Sequence, residues 1–108
     1  MSLKYKLVVY VPVENADAVR KAIGEVGGGK IGNYSFCSFT TKGDGRFKPE
    51  DGANPHIGVV GELGSVEEER IEVTLDAQIV GNVIAAMKRV HPYEEVAYDL
   101  YSLETWER

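Results

Sequence analysis

The residues best suited to chemistry in this chain stand together at 91–95. In His91-Pro92-Tyr93-Glu94-Glu95, one imidazole and two carboxylates fall within five positions. Such donors suit zinc, copper or iron. Proline disfavours helical backbone at the residue before it, so Pro92 prevents His91 and Glu94 from pairing one turn apart on a helix face. The imidazole must instead point off the end of a helix, with Glu94 or Glu95 returning toward it from the entry to the next strand. His56 is the one other histidine and a further candidate ligand. A metal site would therefore take His91, Glu94, Glu95 and His56, with copper or zinc as the ion, and copies around an oligomer could complete its shell. The plain alternative has His91 capping the last helical carbonyls and both glutamates in solvent. Acid separates the two readings. Metal binding fades below roughly pH 6 as imidazole protonates, whereas a cation capping a helix C-terminus is not harmed.

Other motifs carry less. A phosphate-binding loop follows a strand and opens a helix, turning amide groups and the positive helix end toward the anion. Gly27-Gly28-Gly29-Lys30-Ile31-Gly32 follows a helical pattern and opens a strand, so it reads as a helix stop and tight turn. Cys37 is the sole cysteine, which excludes an intrachain disulfide and any CxxC metal knuckle. With no base nearby in sequence it reads as packing. Neither a GxSxG elbow nor an HExxH zinc pattern occurs. No catalytic residue is assigned.

These groups must be positioned by a small scaffold. The 108 residues read as one domain, 1–108. A hydrophobic share of 44% and a charged share of 27% are ordinary for a globular chain. Twelve basic against seventeen acidic side chains give −5 with no basic cluster, so nucleic acid is not an expected partner. The aromatic set Tyr5, Tyr10, Tyr34, Tyr93, Tyr98, Tyr101 and Trp106 lacks the cations that base-stacking surfaces use. Tyr34, Phe36, Tyr98 and Tyr101 are better placed at contacts between subunits. The opening apolar run ends at Pro12, far short of the ~20 residues of a membrane span. No membrane partner and a cytoplasmic location are the expectations.

Leu3–Val11 alternates at period two and predicts a strand. Asn15 is placed to cap a helix with Ala16, Val19, Ala22, Ile23 and Val26 on one stripe, ended by Gly27–Gly29. Tyr34–Thr41 predicts a second strand. Residues 43–66 hold six of the twelve glycines and predict a long loop, with a short strand near Ile57–Val60. Such loops are commonly functional. Alternation resumes at Arg70. Asp76 is placed to cap a second helix striped by Ile79, Val80, Val83, Ile84, Met87 and Val90, and Val96–Leu103 predicts the last strand. The order β-α-β, loop, β-α-β predicts an α+β, ferredoxin-like βαββαβ fold, one antiparallel sheet with both helices on one face.

Four segments in order carry a resemblance over about residues 3–103: GGGKIGNYSFCSF (27–39), GDGRFKPEDGANPHIG (43–58), EERIE (68–72) and HPYEEVAYDLY (91–101). Together they resemble the small domain found inside Nif-three-type proteins, the NGG-interacting-factor family. That domain is similar in turn to the CutA divalent-cation-tolerance proteins and the PII signalling proteins. His91, Tyr93 and Glu94 match the CutA segment HPYEVPE, while Val96 stands where CutA has proline. The resemblance implies a trimer with clefts between subunits and an excursion after the second strand, here residues 43–66. It carries over no catalytic residue, because the metal ligands of full-length Nif-three proteins lie in flanking lobes. The expected function is a non-enzymatic oligomeric module that binds or senses a metal ion or small ligand, with the glycine-rich loop as its mobile element. The alternatives are a metal-assisted hydrolase, by analogy with the longer proteins, and an adaptor domain for protein–protein interaction.

Overall fold

Apolar residues at period two put one face of a strand against helices, and β1 (Lys4–Pro12) does so with Leu7, Val9 and Val11, all fully buried. The computed structural model describes residues 3–104. Strand β1 lies between β3 (Gly64–Asp76) and β4 (Tyr98–Leu103) and is antiparallel to both. Among the described residues, strand β2 (Phe39–Phe47) pairs only with β3, giving the order β2-β3-β1-β4. Helix α1 (Ala16–Glu25) buries Ala16, Val19 and Ile23, and α2 (Val80–Val90) buries Val83, Ala86 and Met87. Five of these six helical side chains join Leu7, Val9, Val11, Ile71, Val73 and Leu75 in one core cluster, so both helices lie on one face of the sheet. This is the ferredoxin-like arrangement that the element order predicts.

Arg20 on α1 reaches across to the sheet. Its Nη1 donates to Glu69 Oε1 at 2.6 Å and to Thr40 Oγ1 at 3.1 Å, while Nη2 donates to Asp17 at 2.5 Å. Glu69 is only 6% exposed, so its charge needs that partner. Hydrogen bonds from the guanidinium to Glu69 and Asp17 raise the Arg20 pKa further.

The second strand is displaced from its sequence-based position. Residues 34–38 form no strand. Gly29 N–H donates to Thr74 O and Cys37 N–H to Gly29 O, so 29–37 folds back on itself beside the end of β3. A backbone bridge joins Ile31 to Tyr34, and Phe36 adopts φ 59° with its ring over Gly24. Cys37 is half-buried in this turn, not packed mid-strand. Pairing with β3 begins at Phe39 and runs to Phe47, and β3 itself begins at Gly64. The expected loop 43–66 thus shrinks to 48–63, and no strand forms at 57–60. Asp76 contributes no cap bond to α2. It pairs with Lys4 Nζ at 2.6 Å instead, and a short 3-10 turn, Ala77–Ile79, leads into the helix. The glycines at 27–29 do end α1, with Gly27 and Gly29 at φ 100° and 83°. Tyr98 packs against the core, whereas Tyr34, Phe36 and Tyr101 are exposed. Trp106 lies outside the described residues.

β1 ends opposite Glu68, so Asp44–Phe47 and Gly64–Glu67 continue past it as a two-stranded arm. The arm helps lengthen the molecule to 50 × 27 × 22 Å. No helix among the described residues is long and apolar enough to cross a membrane.

Candidate functional site

At the root of the arm, three segments meet: the arm itself, loop 48–63, and the connector from α2 to β4 that carries HPYEE. Pro92 sets the geometry. His91 leaves the helix in extended backbone, φ −77° and ψ 135°, while its N–H still donates to Met87 O at 3.1 Å. Its ring turns toward β1 and is nearly buried, at 7% exposure. Nε2 lies 2.8 Å from Tyr10 O, and Tyr93 N–H donates to Nδ1 at 3.2 Å. A carbonyl only accepts and an amide only donates, so the two contacts define one neutral tautomer, protonated at Nε2. Burial lowers the imidazole pKa below its ordinary 6.5, against the opposing pull of Tyr10 O and Glu68. The side chain does not cap helical carbonyls. It ties the connector to β1.

Tyr93 extends this linkage to the arm. Its ring centroid is 4.9 Å from that of His91, and its hydroxyl donates to Glu68 Oε2 at 2.6 Å. Burial first, and then the bond to Glu68, pushes the phenol pKa well above its usual value. The Glu68 carboxylate in turn lies across β2 at Gly45, where any Cβ would overlap it. Glycine in the middle of this strand is thus the space in which the carboxylate sits.

Beyond this chain of contacts is a cavity of about 400 Å³. Phe47, Pro49, Pro55 and Ile57 give it apolar walls, Tyr93 and His56 add rings, and Glu68, Glu94, Glu95, Arg46 and Lys48 bring charge. Loop 48–63 is built onto it. Gly61 N–H donates to Pro49 O at 2.8 Å, and Gly58 and Gly64 approach the Phe47 ring so closely that a Cβ at either would press on it. Asn54 N–H donates to Glu94 Oε1 at 3.1 Å, joining the loop to the connector.

Of the four candidate metal ligands, His56, Glu94 and Glu95 border this cavity, whereas His91 lies outside its lining with both ring nitrogens engaged by backbone. Among the described residues, no group of three or more His, Cys, Asp or Glu side chains is placed to hold a metal ion. Glu94 turns to the loop and not toward His91. Sequence reasoning did not single out Glu68, Gly45 or Phe47 for the site. Their signal was the interruption of β-rich sequence by glycines at 43 and 45 opposite the acidic run 67–69, which strand pairing converts into one contact.

No family model matches the chain. It is 56% identical over 99 residues to a Halalkalibacterium halodurans protein named GTP cyclohydrolase 1 type 2 homolog, covering 92% of this chain and 27% of that protein. A crystal structure of a Bacillus cereus protein related to NIF3 superposes with a TM-score of 0.85 at 48% identity, over 96% of this chain and 26% of the other. The periplasmic divalent cation tolerance protein CutA from Archaeoglobus fulgidus shares the fold over 98% of this chain and 89% of its own, with TM-score 0.72 and 15% identity. The chain has the CutA/PII-like fold, and its sequence is similar to a segment of Nif3-related proteins. It spans about a quarter of the length of the curated relatives it matches. The PII side of that description rests on fold, as in the Bacillus subtilis GlnK–ATP complex, with TM-score 0.64 and 16% identity over 95% of this chain and 84% of the other. In this fold the HPYEE connector forms one wall of the cavity and the glycine-spaced loop another.

Proposed function

We propose that this domain is a non-enzymatic binding or sensing module whose ligand enters the cavity between arm, loop and HPYEE connector. The observation that carries the reading is the loop's attachment. Loop 48–63 packs on Phe47 and is tied to the connector through the Asn54–Glu94 bond, so a ligand in the cavity meets both segments and can shift the balance between loop conformations. The mainly apolar walls with a charged rim favour a small organic molecule. Copper or zinc is the second ligand class: His56, Glu94 and Glu95 border the same cavity but are not grouped to hold an ion within one chain, so further donors would come from a second copy. The module works as a homo-oligomer, a trimer, in line with the exposed aromatics Tyr34, Phe36 and Tyr101.

Hydrogen exchange across 48–63 and 91–97, with and without a panel of metabolites and with copper and zinc, tests the ligand. Slower exchange in both segments with one ligand class is the expected result. Unchanged exchange under every condition removes the sensing role, and turnover of a phosphoester or amide panel replaces it with the hydrolase reading. Light scattering at micromolar concentration tests assembly, and a mass of one chain, 11.9 kDa, ends the oligomer.

A further inference from the structure

The cavity between arm, loop and connector collects charge of both signs that the chain itself leaves uncombined. Arg46 and Lys48 line it from the end of the arm, Glu94 and Glu95 from the connector, and Glu50 from the loop. All five are exposed. Among the described residues none of the five forms an ion pair. Opposite charges that border one cavity and stay apart are left to pair with water or with a ligand. Glu68 differs, because the Tyr93 hydroxyl already donates to it at 2.6 Å. Glu94 is held in position by Asn54 N–H, 3.1 Å from Oε1, and a carboxylate has acceptor capacity beyond that one bond.

These charges discriminate among organic ligands. A volume of about 400 Å³ is within the range of small-molecule pockets, and Phe47 and Ile57 offer apolar surface beside the charges. A ligand that is only an anion meets Arg46 and Lys48 but also a larger number of carboxylates. A ligand that is only a cation satisfies the carboxylates and faces Arg46 and Lys48 unpaired. A molecule with an ammonium and a carboxylate on an apolar body finds a partner for each group. We propose that the cavity takes an amino acid, with its ammonium at Glu94 and Glu95, its carboxylate at Arg46 and Lys48, and its apolar body against Phe47. The inference rests on the reading of this cavity as the ligand site and names the class of organic ligand. Because Glu94 also holds Asn54, an ammonium there acts on the bond that ties loop to connector, so occupancy bears directly on loop 48–63.

Isothermal titration of the 108-residue chain with two matched sets of probes tests it. L-phenylalanine, phenethylamine and hydrocinnamate share a phenyl body. In the second set, ε-aminocaproate, hexylamine and caproate share an alkyl chain, with the two charges at opposite ends. At least one of the two amino acids should bind about tenfold more tightly than both of its single-charge counterparts, and should slow amide exchange in 48–63 and 91–97. Arg46→Gln/Lys48→Gln should remove the advantage over the amine, and Glu94→Gln/Glu95→Gln the advantage over the acid. These four side chains are exposed, so both double variants should melt with the parent chain. Single-charge probes that bind as tightly as the amino acids overturn the proposal and leave the cavity standing as the ligand site. Amino acids that bind without slowing exchange in 48–63, or that bind both double variants undiminished, occupy another surface and overturn it too. Binding of none of the six probes also overturns it, and the metabolite and metal panel then decides separately whether the cavity is a ligand site.

Discussion

Replacing a strand glycine by alanine commonly stabilises a protein by about 0.4–1 kcal/mol, because the unfolded chain loses freedom. At Gly45 the sign should reverse. The new methyl group would occupy the place of the Glu68 carboxylate, and Glu68 cannot step aside without leaving the Tyr93 hydroxyl, 2.6 Å away. A hydrogen bond to a charged acceptor contributes about 1.5–3 kcal/mol, toward the lower figure when the pair is only partly buried as here. Gly45→Ala should therefore destabilise by about 0.5–1 kcal/mol, the lost bond less the backbone gain. Tyr93→Phe removes the same bond and should cost about 1.5 kcal/mol. In the Tyr93→Phe background Glu68 is free to swing into solvent, and Gly45→Ala becomes neutral or stabilising. The assay is urea unfolding of the four proteins of a double-mutant cycle at pH 7. Additive effects, with Gly45→Ala costing the same in both backgrounds, would refute the coupling of arm and connector through Glu68.

Two further outcomes follow from buried groups. Because burial lowers the His91 pKa, the folded state binds its proton less readily than the unfolded chain. Its contribution to stability is complete above the ordinary value of about 6.5 and is lost as pH falls through the lower folded value. Proton titration by NMR should place the His91 imidazole below 6.5, and His91→Ala should remove that step from the acid side of the stability profile. A folded pKa at or above 6.5 would contradict the neutral tautomer fixed by Tyr10 and Tyr93. Arg20→Met leaves the Glu69 carboxylate buried with its cation gone. A loss of about 2–3 kcal/mol is expected in urea unfolding, below the full cost of a buried pair because Arg20 reaches solvent, and a loss under 1 kcal/mol would mean that Glu69 finds water.

The strands, helices and their order were legible in the sequence wherever local physics decides them. Alternation in Leu7, Val9 and Val11, helical spacing in Val83 and Met87, and glycine at 27 and 29 each specify backbone without reference to distant residues. Pro92 likewise dictated that the helix end at His91. Pairing decided the rest. Whether 34–38 or 43–47 joins β3 depends on Gly29 reaching Thr74, a contact between residues 45 apart that no local pattern encodes. The glycines at 43 and 45 read as loop until β3 lies alongside and Glu68 takes the space above Gly45. His91 is the same case. Its residue type suggested a ligand or a cap, but the tertiary fold put Tyr10 O on one ring nitrogen and Tyr93 N–H on the other. Sequence determined which side chains were available, and only the fold, by bringing together groups far apart along the chain, decided their partners and their protonation.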